Sequence, residues 1–211
     1  MTDRTQYETI SGRTETEIEI SRSRFLTRIE RISDETAARE VIAEVRAEHP
    51  RARHHCTAFV IGPDGRVQRS SDDGEPSGTA GAPMLDALVS AGLSDVVAVV
   101  TRYFGGVLLG AGGLTRAYRA SVAEAVLAAT RVPRGLRYPT VVTSAYDVAA
   151  QIEAEARRRG FAVGEAAYSD RVAQEFLVSA DEQAALTALA AELSAGSAEL
   201  AVSEPRYIDL A

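Results

Sequence analysis

The sequence predicts an α+β chain of two domains, residues 1–133 and 136–211. Polar-apolar alternation near the start argues half-exposed strands, and a long helical stripe from Gly113 to Arg131 argues a buried helix. After that helix Pro133, Gly135 and Pro139 cluster, the composition expected where one folded unit hands over to the next. A chain of 211 residues can bury a real core in either one large or two small domains.

From Tyr7 to Ile32, alternation at Thr14, Thr16, Ile18 and Ile20, then at Phe25, Ile29 and Ile32, reads as antiparallel strands with Gly12 as a turn. A helix follows, with Ser33 and Asp34 as cap candidates, an apolar stripe of Ala37, Ala38, Val41, Ile42 and Val45, and Pro50 as its stop. His54 to Ile61 is a strand, turned by Gly62-Pro63-Asp64-Gly65 into a second over Arg66 to Arg69. Pro83 to Gly92 reads as a short helix, and Asp95 to Thr101 as a β-branched strand covered on both faces. In the long helix Leu114, Ala117, Tyr118, Ser121, Val122, Ala125, Val126 and Ala129 form one continuous stripe. The second domain is read as strand Tyr138–Thr143, helix Tyr146–Arg159, strands Phe161–Tyr168 and Val172–Ser179, helix Glu182–Ser194 and strand Glu199–Ile208. Ser179 and Glu182 have capping-box spacing. That β-α-β-β-α-β order is the ferredoxin-like arrangement.

All 23 basic residues are arginine. The missing lysine excludes a Walker A loop, a Schiff-base lysine for pyridoxal phosphate and a kinase-type strand lysine. Net charge is −7, against a generic polyanion binder, yet it is unevenly spread. Residues 1–133 hold 16 Arg against 18 acidic residues, and residues 134–211 hold 7 against 12, so only the first domain keeps enough arginine for a positive patch. Met1 to Thr5 lacks a signal-peptide pattern and no apolar run is long enough to span a membrane, so no membrane contact is expected. The single Cys56 excludes an intrachain disulfide, and the expected compartment is the cytoplasm.

Function is concentrated between Ser71 and Tyr118, where glycine-rich segments flank the apolar strand. Gly105, Gly106, Gly110, Gly112 and Gly113 run into the N-terminus of the long helix, whose unpaired N–H groups and dipole favour an anion. The run fails the dinucleotide fingerprint, because no glycine follows at the last position. A phosphate contact and close strand-to-helix packing that needs no ligand both account for the glycines. Arg102, Tyr103 and Phe104 leave the apolar strand just before them, an arginine beside aromatics of the kind that grips phosphate while bases stack. Asp72, Asp73 and Glu75 form a polar loop that suits a tight turn, a divalent cation or pairing with Arg102 and Arg116. His54 and Cys56 share one strand face, but a buried inert thiol beside a hydrogen-bonded histidine explains them without zinc or a nucleophile. Neither a metal nor a cofactor is expected.

Four motifs in this order resemble the IMPACT/YigZ family: Ser23-Arg24-Phe25, His54-x-Cys56-x-Ala58, Ser71-Asp72-Asp73-Gly74-Glu75-Pro76-Ser77-Gly78-Thr79-Ala80-Gly81, and Arg102 to Gly110 continued by Gly112-Gly113-Leu114-Thr115-Arg116-Ala117-Tyr118. The resemblance implies a first domain like that of a small-subunit ribosomal protein and of domain IV of elongation factor G, and a second like that factor's ferredoxin-like domain V. It implies a non-enzymatic protein that associates with RNA or the ribosome in regulation of translation, contacting it through Arg24, His54, Arg102, Tyr103, the loop glycines and Arg116. Phe59 departs from the Tyr of many relatives, arginine replaces every lysine, and the extra N-terminal domain of eukaryotic members is missing, so their kinase-activator partner does not carry over. A protein partner of another kind stays open. The alternative is an enzyme on a small phosphorylated or nucleotide ligand, with Asp72, Asp73 or Glu75 as base or metal ligand.

Overall fold

The computed structural model of the chain describes residues 4–210; Met1 to Asp3, part of the segment read for a leader, and Ala211 lie outside the described residues. Two compact units emerge, one running to Arg134 and the other over Gly135–Leu210. The first unit contains β1 (Gln6–Ile10), β2 (Arg13–Ile20), β3 (Ser23–Arg31), α1 (Glu35–Glu48), β4 (His54–Ile61), β5 (Val67–Ser71), α2 (Gly81–Ser90), β6 (Val96–Tyr103) and α3 (Gly110–Ala128). Its five-stranded antiparallel sheet has the order β2-β3-β6-β4-β5, so the apolar β6 lies at the centre.

Successive side chains of a strand point to opposite faces, and β6 uses both. Ala98 and Val100 join Phe25, Ile29, Cys56 and Ala58 under α2 and α3, where Met84, Leu88, Ala117, Tyr118 and Val122 close the larger core. Val97 and Val99 face the other way and pack with Phe59 against Ala38, Val41 and Val45 of α1. The expectation of a strand covered on both faces therefore holds in an antiparallel setting. Asp34 caps α1, its side chain accepting from the Ala37 N–H at 2.9 Å.

The second unit holds most of β7 (Arg131–Ser144), then α4 (Tyr146–Arg158), β8 (Ala162–Tyr168), β9 (Val172–Val178), α5 (Ala180–Leu193), β10 (Glu199–Val202) and β11 (Arg206–Asp209). Sheet order is β10-β7-β9-β8, with β11 also paired to β7. Val142, Phe176 and Val178 meet Ile152 and Ala156 of α4 and Leu186 and Leu189 of α5. The capping box is present at α5, where the Ser179 N–H donates to Glu182 at 2.7 Å.

Several boundaries differ from expectation; α3 ends at Ala128, short of the Arg131 read for it, because Arg131 already opens β7. Pro133, Gly135 and Pro139 do not interrupt the chain, because β7 runs through all three. Proline is tolerated in a strand where its missing N–H is not needed, and the Pro139 carbonyl still accepts from Ser203 N at 2.8 Å. The single strand expected over 199–208 is two, separated by a stretch that contains Pro205. The long helix begins at Gly110 rather than Gly113, so three glycines read as loop form its first turn.

The division into units is expected to persist in solution. A fragment of residues 135–211 should show a cooperative thermal transition of its own by circular dichroism; a featureless melt would sink this expectation.

Candidate functional site

The acidic loop between β5 and α2 is built from its own carboxylates. One Asp72 oxygen accepts the N–H groups of Ala80 (2.9 Å) and Gly81 (2.8 Å), and the other accepts Gly78 N–H at 2.8 Å. Asp72 thereby caps α2 from outside the helix, whose own N-cap residue, Ala80, offers no side-chain acceptor. Partial burial pushes its carboxyl up, but the hydrogen bonds from Gly78, Gly81 and Ala80 prevail and hold it below the usual carboxylate range. Asp73 accepts the His55 N–H at 2.7 Å and pairs with Arg46 at 2.6 Å, while its carbonyl meets His54 Nδ1 at 3.0 Å. Since a carbonyl only accepts, His54 Nδ1 carries the proton in this bond. Glu75 turns inward. The three carboxylates serve three different sets of partners, and among the described residues no group of three His, Cys, Asp or Glu is arranged to hold a metal ion.

Arg102 is where the structure departs furthest from the exposed phosphate grip read from the sequence. It is 7% exposed and paired with the equally buried Glu75 at 2.7 Å. The same Glu75 oxygen accepts the Tyr118 hydroxyl at 2.7 Å, which joins β6, the acidic loop and α3 at one atom. The Arg102 guanidinium lies between the rings of Phe25 (5.6 Å) and Phe104 (5.7 Å). The position follows from register: Arg102 stands opposite Phe25 and His54, on the face that α3 covers. Burial raises the Tyr118 hydroxyl far above its ordinary value and pushes the Cys56 thiol up to about 12, so neither ionises near neutrality. Cys56 donates to the Asp72 carbonyl at 3.0 Å, the inert buried thiol that its surroundings implied.

Around this floor opens a cleft of about 700 Å³. Arg51, Arg53 and His54 come to it from the segment entering β4, Tyr103 and Phe104 from the end of β6, and Gly110 and Ala111 from the first turn of α3. Phe104 is 57% and Leu108 88% exposed, large apolar surfaces left to solvent. Gly105 explains itself by packing: a Cβ there would stand 1.8 Å from the Arg22 carbonyl oxygen. Its N–H reaches Ser23 Oγ at 3.3 Å. Gly106 takes φ +84°, which turns the chain out of β6, and Gly110, Gly112 and Gly113 open α3 with no capping side chain and no acidic residue in the first turn. Gly112 lies next to the Arg116 guanidinium, where an added Cβ would meet Nη1 at 3.5 Å.

The cations divide into two groups. Arg24, expected at the site, is held by Glu17 through two bonds of 2.6 and 2.9 Å, beside the Tyr103 ring. Arg22, Arg51, Arg53 and Arg116 are exposed and have no hydrogen-bond or ion-pair partner among the described residues, whereas the other arginines of this unit are engaged. Two of the four line the cleft, and a third stands on the helix turn that borders it. Arg51 and Arg53 escaped the sequence reading. Their signal was the Pro50-Arg51-Ala52-Arg53 run immediately ahead of the His54-x-Cys56 strand.

Residues 21–126, which contain every cleft-lining residue, match the model of the Impact N-terminal domain. The chain is 41% identical over 205 residues to IMPACT family member YvyE of Bacillus subtilis, covering 97% of this chain and 94% of that one. The chain belongs to the IMPACT family. It is also 52% identical over 110 residues to IMPACT family member YigZ of Escherichia coli, 51% of this chain and 54% of that one. A crystal structure described only as a hypothetical protein superimposes with a TM-score of 0.64 at 36% identity, over 95% of this chain and 98% of that one. In this IMPACT family member the family motifs therefore divide into a buried frame of Glu75, Arg102 and Tyr118 and an open rim of arginines and rings.

Arg102→Ala should destabilise the protein by about 3–5 kcal/mol, because Glu75 would be left buried and uncompensated, whereas Arg116→Ala should change stability by less than about 0.5 kcal/mol. Urea denaturation of the two variants beside wild type reads this directly. Asp72 generates a pH expectation. Its folded pKa lies below the unfolded one, so its contribution is complete above pH ~4 and is lost as pH falls through the folded value. Asp72→Asn should therefore lower stability at neutral pH, by setting an amide N–H2 against the Gly78 N–H, and should flatten the acid limb of the stability curve.

Proposed function

We propose that this IMPACT family member is a non-enzymatic protein that contacts RNA or the ribosome through the cleft and thereby acts in regulation of translation. The observation that carries the reading is the position of the uncommitted cations: of the four, Arg51 and Arg53 line the cleft and Arg116 stands on α3 beside Gly112, while the arginines of the unit other than these and Arg22 are engaged. Unpaired guanidinium groups beside the exposed Phe104 and the half-buried Tyr103 suit a single strand, since phosphates are neutralised and bases stack on the rings. The resemblance of the first domain to a ribosomal protein and to domain IV of elongation factor G, and of the β-α-β-β-α-β second domain to that factor's ferredoxin-like domain V, supports the same reading.

A small phosphorylated or nucleotide substrate is the second reading, favoured by the bounded volume of the cleft. It is weakened by the geometry of its catalytic candidates. Asp72 and Asp73 bond backbone N–H groups, and Glu75 is held by Arg102 and Tyr118.

Crosslinking in cells followed by sequencing of attached RNA tests the reading, with recovery no greater than from an untagged control as the outcome against it. In solution, about three phosphates neutralised on a single strand give a slope of log affinity against log salt near −2. Arg51→Ala with Arg53→Ala should flatten it to about −0.7. Fluorescence anisotropy with a labelled oligouridylate between about 50 and 200 mM salt measures both slopes; a slope unchanged in the double variant would place the contact elsewhere.

A further inference from the structure

The cleft is a bounded concavity in an acidic protein, and that combination selects which part of a strand it can take. A groove that follows a backbone needs cations spaced along it, but of the uncommitted arginines only Arg51 and Arg53 line the cleft, with Arg116 on the helix beside it, and the chain carries a net −7. Its volume of about 700 Å³ is in the range of small-ligand pockets.

One end of the cleft concentrates donors. The first turn of α3 presents backbone N–H groups that no side chain caps, and Arg116 folds over that turn beside Gly112. Arg102 forms part of the cleft wall, more than nine-tenths buried and paired with Glu75, and its buried Nε keeps no hydrogen-bond partner. The opposite requirement, a surface for a base, is met by the rings of Tyr103 and the half-exposed Phe104. An internal phosphodiester carries one negative charge and its ester oxygens are tied on both sides, whereas a phosphomonoester is close to a dianion with three strong acceptor oxygens. Clustered guanidinium and helix-terminal donors reward the second more than the first.

Building on the reading of the cleft as an RNA contact, we infer that it takes a nucleotide bearing a phosphomonoester, presented as the phosphorylated end of a single strand. The terminal phosphate lies against the first turn of α3 and Arg116, the terminal base lies on Phe104 or Tyr103, and Arg51 and Arg53 meet the next phosphate inward. No bond is made or broken in this recognition.

The test is anisotropy with oligouridylates and oligoadenylates of about ten nucleotides carrying a 5′-phosphate, a 3′-phosphate or hydroxyls at both ends, the label always on the opposite end. Expected is a preference of about tenfold or more for one phosphorylated end over the hydroxyl strand, lost in Arg116→Ala while the melting temperature stays within about 2 °C of wild type. Equal binding of phosphorylated and hydroxyl strands, still sensitive to Arg51→Ala with Arg53→Ala, overturns the end recognition and leaves the RNA reading standing. Protection by free uridine or adenosine monophosphate with no binding of any strand overturns the strand as the source and favours the small-ligand reading. Absence of binding by strands and monophosphates alike overturns both.

Discussion

The ion pair of Arg102 with Glu75 joins the elements around which the first unit is arranged. It links the central strand β6 to the loop before α2, and the Tyr118 hydroxyl on the same carboxylate oxygen adds α3. Burying two charges costs several kcal/mol per ion, and only good geometry with additional hydrogen bonds offsets it. Here the offset comes from Tyr118 and from the neighbouring Phe25 and Phe104 rings. The pair also fixes the relative position of three segments that all border the cleft, so the rim arginines are presented on a rigid floor. Removing one member would leave the other without compensation in the place where the three segments meet.

Much of the architecture could be read from the chain. The stripe from Leu114 to Val126, the strand His54–Ile61, the Asp34 cap and the Ser179–Glu182 capping box were all visible, because each depends on local spacing and residue type. The prolines misled for a physical reason. Breaking power depends on whether the missing N–H is needed, and that is decided by the neighbouring strand, which a linear reading does not contain. Three glycines in four residues argue against helix, yet the tertiary packing of Leu114, Ala117 and Tyr118 goes with an α3 that extends back to Gly110.

The candidate site was legible as a region and misread in its roles. Arg102 stood out for the right neighbourhood, but only the register that places it opposite Phe25 and His54 reveals that it faces the core. Arg24 is exposed and yet committed to Glu17, a cross-strand relation set by the hairpin of β2 and β3. Arg51 and Arg53 lie in a short connection without periodicity, and their importance comes from having no ion-pair partner among the described residues. A sequence shows which charges are present. Which of them remain unspent is a property of the fold.

The composition of the rim bears on how such a site is controlled. A guanidinium keeps its proton throughout the physiological pH range, and the acetylation that silences lysine has no target in a chain whose 23 basic residues are all arginine. The guanidinium charge of the rim is thus constant against both acidity and lysine-directed modification. On the proposed reading, occupancy would respond to what surrounds the molecule, namely salt, competing anions and the supply of the ligand itself.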